Sequence, residues 1–299
     1  MNFSIIKKPD YSIIAPLSMA FSITAIFITI YILILILSRK RLYTVSRLLT
    51  CNTCLSSILY CITQCVNYTY LLILTWITDD QLCRWRAYFS YMSLVAVIYS
   101  YVMQIISRFF FINLYSKYRW LVSFKAHVIL ISFGWIVILM LASPSILTKD
   151  VYFRPGELCW VPSDKILHSY YIIVAYYILP ILLIISLSIA IIIQIYSYRK
   201  STTIQPNKKR KDRDSQIFRN IMISFSVYFL GGVPYMIYSF TNSAFFYSLG
   251  VVSVTFFVNI EILVTVYLDR EIRNIVKNHF RQTNTRVFPM TVNAEVFVR

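Results

Sequence analysis

The chain of 299 residues is 58% hydrophobic and 14% charged, with a mean hydropathy of +0.66. One soluble core does not hide that much apolar surface, and apolar runs of about 20 residues recur along the chain, so soluble classes are excluded and a membrane protein is indicated. The net charge of +17 falls between the apolar runs rather than on one face, so it reports topology and not a nucleic-acid surface.

Residues 1–11 are a short polar start with Lys7, Lys8 and Asp10, and Asn2-Phe3-Ser4 is a glycosylation sequon if this end is outside. The first apolar run, roughly Tyr11 to Leu37, is too long for the core of a cleavable signal. Arg39-Lys40-Arg41 follows it, so it reads as an inserted anchor. The second run, roughly Leu48 to Trp76, carries Cys51, Cys54, Cys61 and Cys65 near one helical face. These read as small packing residues against neighbouring helices rather than a metal cluster, since no histidine is near. Asn67-Tyr68-Thr69 is a second sequon, close to the bilayer.

The third run organises the chain. From Cys83 to Arg108 a helix rising ~1.5 Å per residue spans more than the ~30 Å hydrocarbon core, which places one of these residues at each face. The fourth run, Ala126 to Leu147, holds Trp135 and Pro144, and the fifth, His168 to Tyr198, holds Pro180. The sixth, Ile217 to Phe240, contains Gly231-Gly232-Val233-Pro234, a kink signal. The seventh runs from Phe245 to Leu268. Residues 269–280 then keep apolar Ile272, Ile275 and Val276 at helical spacing among charges, as in a helix lying on the membrane surface, and 281–299 form a tail.

Seven spans put the termini on opposite sides. One set of loops holds Arg39, Lys40, Arg41 and Arg47, then Arg108, Lys117, Arg119 and Lys125, then the eight basic residues from Arg199 to Arg219, and the tail adds six. The other set holds Lys7, Lys8, Arg84, Arg86, Lys149, Arg154 and Lys165. Positive residues concentrate in the cytosol, so the N-terminus is outside and the tail inside. Cys83 and Cys159 are then the two cysteines outside the membrane core, in an oxidising compartment, and are expected to pair. Val151 to Val161 gives two β-prone runs about Pro155-Gly156, which predicts a hairpin stapled over the third helix.

The order Cys83, Arg108 in Ser107-Arg108-Phe109, Trp135, Pro180, Pro234 and Tyr267 in Leu263-Val264-Thr265-Val266-Tyr267 resembles the rhodopsin-like (class A) G protein-coupled receptors over about residues 12–280. The resemblance implies an all-α membrane fold: a seven-helix bundle over 12–268, a short eighth helix and the loop hairpin. The resemblance is that of a divergent relative. Ser107 stands where the family has an acid, Gly232 where it has an aromatic toggle, and the seventh helix lacks the Asn and Pro before its tyrosine. Ser57 and Thr29 stand where a sodium-site aspartate and a first-helix asparagine belong.

The resemblance further implies a ligand cavity from Ser90, Tyr91, Leu94, Ile172, Tyr176, Tyr235, Met236, Ser239, Ser253 and Phe257, roofed by the loop that carries Trp160. Ser90 replaces the aspartate of amine receptors and Phe257 the retinal lysine of opsins. What is left is aromatic and hydroxyl-rich, and suits a neuropeptide-like peptide or a neutral small molecule. Arg108 either snorkels to the inner interface or latches to Asp214, which lies 20 residues before Pro234 at the inner end of the sixth helix. Glu261, the one acid inside a span, is either the polar hub of the switch, bonded to Asn259 or Ser57, or a protonated carboxyl on a backbone carbonyl. Tyr267 completes the switch set.

The expected function is activation of a heterotrimeric G protein at the plasma membrane by an extracellular ligand, without cofactor, metal, nucleic acid or enzymatic chemistry. A transporter or channel is the alternative, although no repeat relates the two halves. His127, His168 and His279 lie at span ends or in the tail and form no triad or metal spacing.

Overall fold

The computed structural model describes residues 11–38, 44–74, 78–115, 117–162, 165–200, 208–241, 243–268 and 273–274, without the side chains of 198–200 and 208–214. Seven helices in this range are long and apolar enough to cross a membrane: α1 (Tyr11–Leu37), α2 (Val45–Leu72), α3 (Asp80–Leu114), α4 (Phe124–Leu147), α5 (Ile166–Ser197), α6 (Lys208–Thr241) and α7 (Ala244–Leu268). The protein is a multi-pass membrane protein.

Helices in lipid gain little from burying apolar surface against one another, so small side chains that let backbones approach decide which face turns inward. In α1, Ala15, Ser18, Ser22, Ala25 and Thr29 form a buried stripe, while Ile13, Phe27 and Ile34 face outward. On α2 the buried Cys54 and Cys61 and the half-buried Cys51 and Cys65 are free thiols within the packing. Helix α3 is the axle, with 72% of its spanning window buried. Asp79 caps its start by accepting from the Leu82 amide at 2.7 Å.

Two prolines leave marks. Pro180 lacks an amide for the carbonyl four residues earlier and its ring crowds that turn, so α5 widens into a π-turn over Val174–Ile178 just before it. Pro234 sits inside α6 and deprives the Leu230 carbonyl of its donor. One residue on, the Gly231 carbonyl accepts from the Ser253 hydroxyl of α7 at 2.7 Å. The two helices touch through glycine: a Cβ on Gly231 would lie 2.7 Å from Phe257 Cβ, and one on Gly250 would lie 2.9 Å from the Tyr235 backbone.

The expected hairpin is corrected. Cys83 and Cys159 are bonded, with Cα atoms 5.2 Å apart, but among the described residues no strand forms. The turn at Pro155-Gly156 does form, closed by the Glu157 amide on the Arg154 carbonyl at 3.1 Å, with Gly156 at φ 77°. The amides that a ladder would need bond to α3 instead. Phe153 donates to Asp80 Oδ1 at 2.8 Å, and Val161 to the Tyr91 hydroxyl at 2.9 Å. Arg273 and Asn274 are helical, and the remainder of the expected eighth helix lies outside the described residues, as does Asn2. Asn67 is 3% exposed and bonded to Ser90, which closes the second sequon to a glycan.

Candidate functional site

Among the described residues, an outer and an inner cavity lie one above the other in the bundle, with a third, smaller void besides. The outer one, about 40 Å³, is lined by the expected Ser90, Tyr91, Leu94, Trp160, Ile172 and Tyr235, together with Tyr60, Gln64, Tyr177, Gly250, Val251 and Val254. Among the described residues no charged group lines it. The Ser90 hydroxyl donates to the Arg86 carbonyl and accepts from Asn67, and the Tyr91 hydroxyl accepts from the loop, so both are occupied. Sequence reasoning missed the α2 pair Tyr60 and Gln64. Polar residues at four-residue spacing in an apolar run (Tyr60, Gln64, Tyr68) were the available signal.

The other expected ligand residues lie elsewhere. Ser253 is turned onto Gly231, Phe257 packs against Gly231 and Phe256, and Ser239 bonds the Tyr235 carbonyl of its own helix at 3.2 Å. Met236 packs at the edge of the core, and Tyr176 donates to the Leu141 carbonyl at 3.0 Å while lining the smallest void.

An aromatic lid closes the cavity from above. Trp160 meets Tyr235 at 5.6 Å and Tyr247 at 6.0 Å between ring centroids, Tyr238 meets Tyr247 at 5.0 Å, and Tyr11 donates to the Tyr247 hydroxyl at 2.9 Å. The loop, α1, α6 and α7 thus meet in one cluster. Beside it Arg86 is buried under the disulfide. Its Nη2 lies 2.6 Å from Cys159 Sγ, and its guanidinium carbon 4.7 Å from the Tyr70 ring. Nearer solvent, Asp150 Oδ2 bonds His168 Nδ1 at 2.9 Å, and this bond, with a smaller one from Thr148, holds the Asp150 carboxyl below its ordinary range.

The inner cavity, about 80 Å³, is polar and borders α1, α2, α3, α6 and α7. Among its walls are Ser57, Tyr101, Gln104, Asn220, Ser224 and Glu261. Glu261 is 3% exposed and accepts from Thr265 at 3.2 Å. With the Thr265 proton directed there, the Ser224 hydroxyl, 3.3 Å away on α6, is the donor in its contact with Thr265. Asn220 of α6 also donates to the Leu268 carbonyl at the end of α7, at 3.1 Å.

Asn259, an expected partner of Glu261, instead bonds α1, donating to the Phe21 carbonyl at 2.9 Å and accepting from Thr24 at 3.2 Å. Ser57 shares the cavity with Glu261, but its hydroxyl has no hydrogen-bond partner. Gln104 ties α3 to α2 through Thr53 at 2.7 Å.

At the inner end of α3, Ser107 donates to His127 Nε2 of α4 at 2.9 Å. His127 Nδ1 faces the Ser123 carbonyl at 2.9 Å, which assigns the proton to Nδ1. Arg108 is 3% exposed, so it does not snorkel, and lies 5.3 Å from the Phe111 ring. Asp214 lies on α6, and its side chain is outside those described. Tyr267 is 69% exposed, with Arg273 over its ring at 5.7 Å and donating to its carbonyl. Trp135 of α4 donates to Asn52 of α2 at 3.0 Å.

A bundle of seven apolar helices with a loop cysteine bonded to the start of the third is what the family comparison matches. The model of the seven-transmembrane receptors of the rhodopsin family covers residues 29–268. The chain belongs to this family. The receptor matches no individual curated protein. Membership makes a ligand and a G protein its partners in general terms, while the residues that would meet them are a matter of geometry.

Proposed function

We propose that this receptor binds an extracellular ligand in the outer cavity beneath Trp160 and activates a heterotrimeric G protein at its inner face. The N-terminal residues 1–11 lie outside at the plasma membrane and the tail, 281–299, inside, as the distribution of lysine and arginine supports. One observation carries the reading. Helices α6 and α7 wall both cavities, and between them they meet at glycine and at the Ser253 bond beside Pro234.

A ligand that pushes Tyr235 acts just above that contact. Below it, α6 is held to α7 by exchangeable hydrogen bonds, Asn220 to Leu268 and Ser224 to Thr265, each worth about 1 kcal/mol. Tilting α6 outward about Pro234 exchanges these bonds for water and opens the inner mouth. Glu261 supports this as the hub. A carboxyl this deep in a bundle is costly, and it anchors the chain of hydroxyls that opening would break. An Arg108 to Asp214 latch would act in the same direction.

The test is nucleotide exchange on purified G protein by the receptor in nanodiscs, with spin labels at Ile217 and Val45 reporting distance. Ligand-stimulated exchange with a lengthened distance is the expected result. Substrate-evoked current without G protein, at constant distance, would put the transporter reading first.

A further inference from the structure

Below the outer cavity a second, smaller void of about 10 Å³ is lined by Ile98, Ile181, Phe225, Tyr228, Gly232 and Val254, among others. It exists because residue 232 is glycine. A Cβ there would meet only Tyr177 Cε1, at 3.3 Å, so any longer side chain would grow into this space. Tyr177 and Val254 border both voids, so a single aromatic ring and one valine divide them. Tyr177 belongs to the π-turn over Val174–Ile178, a segment already wound outside the regular α-helical register.

The polar groups along this path are unevenly provided for. Ser90 and Tyr91 already have partners. Two buried groups have none among the described residues: Trp160 Nε1, on a residue that lines the top of the outer cavity, and the Tyr228 hydroxyl, on a residue that lines the lower void. A buried polar atom left without a partner is costly, and a molecule that bonds both recovers that cost. Among the described residues no charged side chain lines either space.

Resting on the reading that the outer cavity holds the ligand, we propose that Tyr177 is a movable partition and that the ligand runs through both voids. It is a neutral, elongated, apolar molecule with an oxygen at each end. One oxygen accepts from Trp160 Nε1 and the other bonds Tyr228, with a slender hydrocarbon body between them. This is lipid chemistry: the body meets wall that is mostly apolar, and the two ends meet the two unpartnered donors.

The experiment measures thermal stabilisation of the purified receptor in nanodiscs by the α,ω-diol of decane, by decanol and by decane, with wild type, Gly232→Leu, Gly232→Ala and Tyr228→Phe compared in the same lipid so that partitioning cancels. In wild type the diol is expected to stabilise most and decane least. Gly232→Leu should remove the advantage of the diol over decanol, Gly232→Ala should reduce it, and Tyr228→Phe should weaken diol affinity about 5-fold, the loss of one hydrogen bond. If Gly232→Leu does not fold, Gly232→Ala and Tyr228→Phe carry the same comparison. Equal stabilisation of wild type and variants by the diol, or none in either, overturns the proposal.

Nucleotide exchange evoked by a peptide and unaffected at Gly232 would also overturn it and leave the receptor reading standing. Diol stabilisation that depends on Gly232 without any exchange would uphold the two-void site and sink the signalling reading.

Discussion

The outer and inner halves of the bundle are held together by different kinds of contact. Outside, a disulfide, a buried arginine and a cluster of aromatic rings from four elements close over a nearly apolar cavity. Inside, hydroxyls, amides and one carboxyl surround a polar cavity and join α6 to α7 by hydrogen bonds that water can replace. Covalent and aromatic contacts fix a shape, whereas exchangeable bonds let a helix leave at little cost. The fold therefore concentrates fixed contacts in one half and exchangeable ones in the other, which is the division the proposed function requires.

The sharpest way to break this contrast is at the disulfide. Cys83→Ser or Cys159→Ser is expected to cost about 2–5 kcal/mol, with loss of folded receptor at the cell surface, because the loop that carries Trp160 loses its tether. Surface labelling and thermal denaturation would measure it. Next comes the α6–α7 contact. Gly231→Val places atoms where Phe257 Cβ already stands and should destabilise by about 1–3 kcal/mol, read as a lowered midpoint in nanodiscs.

Inner-half changes should act on signalling more than on stability. Glu261→Gln keeps the shape and an acceptor for Thr265 but removes the ionisable group. An altered level of basal nucleotide exchange with near-normal surface expression is expected, and unchanged basal and stimulated exchange would remove Glu261 from the switch. Asn220→Ala frees the end of α7 and should raise basal exchange about 3- to 10-fold, the equivalent of one bond of about 1 kcal/mol.

The smallest effect is expected at Asp150. Its carboxyl titrates below the ordinary value in the folded receptor, so the stability it contributes is full above the ordinary carboxylate range and fades as the pH falls through the lowered value. Asp150→Asn should lower the neutral-pH midpoint slightly and thereby flatten that acid limb in a melting series.

Much of this was legible in residue order. The spans followed from apolar runs, and the pairing of Cys83 with Cys159 from their place outside the core. The loop around Pro155-Gly156 misled, because alternation and a turn signal describe local preference, while Asp80 and Tyr91 compete for the same amides from another element. Asn259 beside Glu261 invited a pairing that helix geometry opposes. Residues two apart point to different faces, so Asn259 reaches α1 and Glu261 the central cavity.

By itself, then, the sequence determined that this chain crosses the membrane seven times, because hydrocarbon admits only segments that satisfy their own backbones. Only the tertiary structure decided which polar groups meet. Gly232 opens a void, Tyr228 is left without a partner and Asn220 holds α7, because these depend on how helices distant in sequence face one another and not on any local pattern.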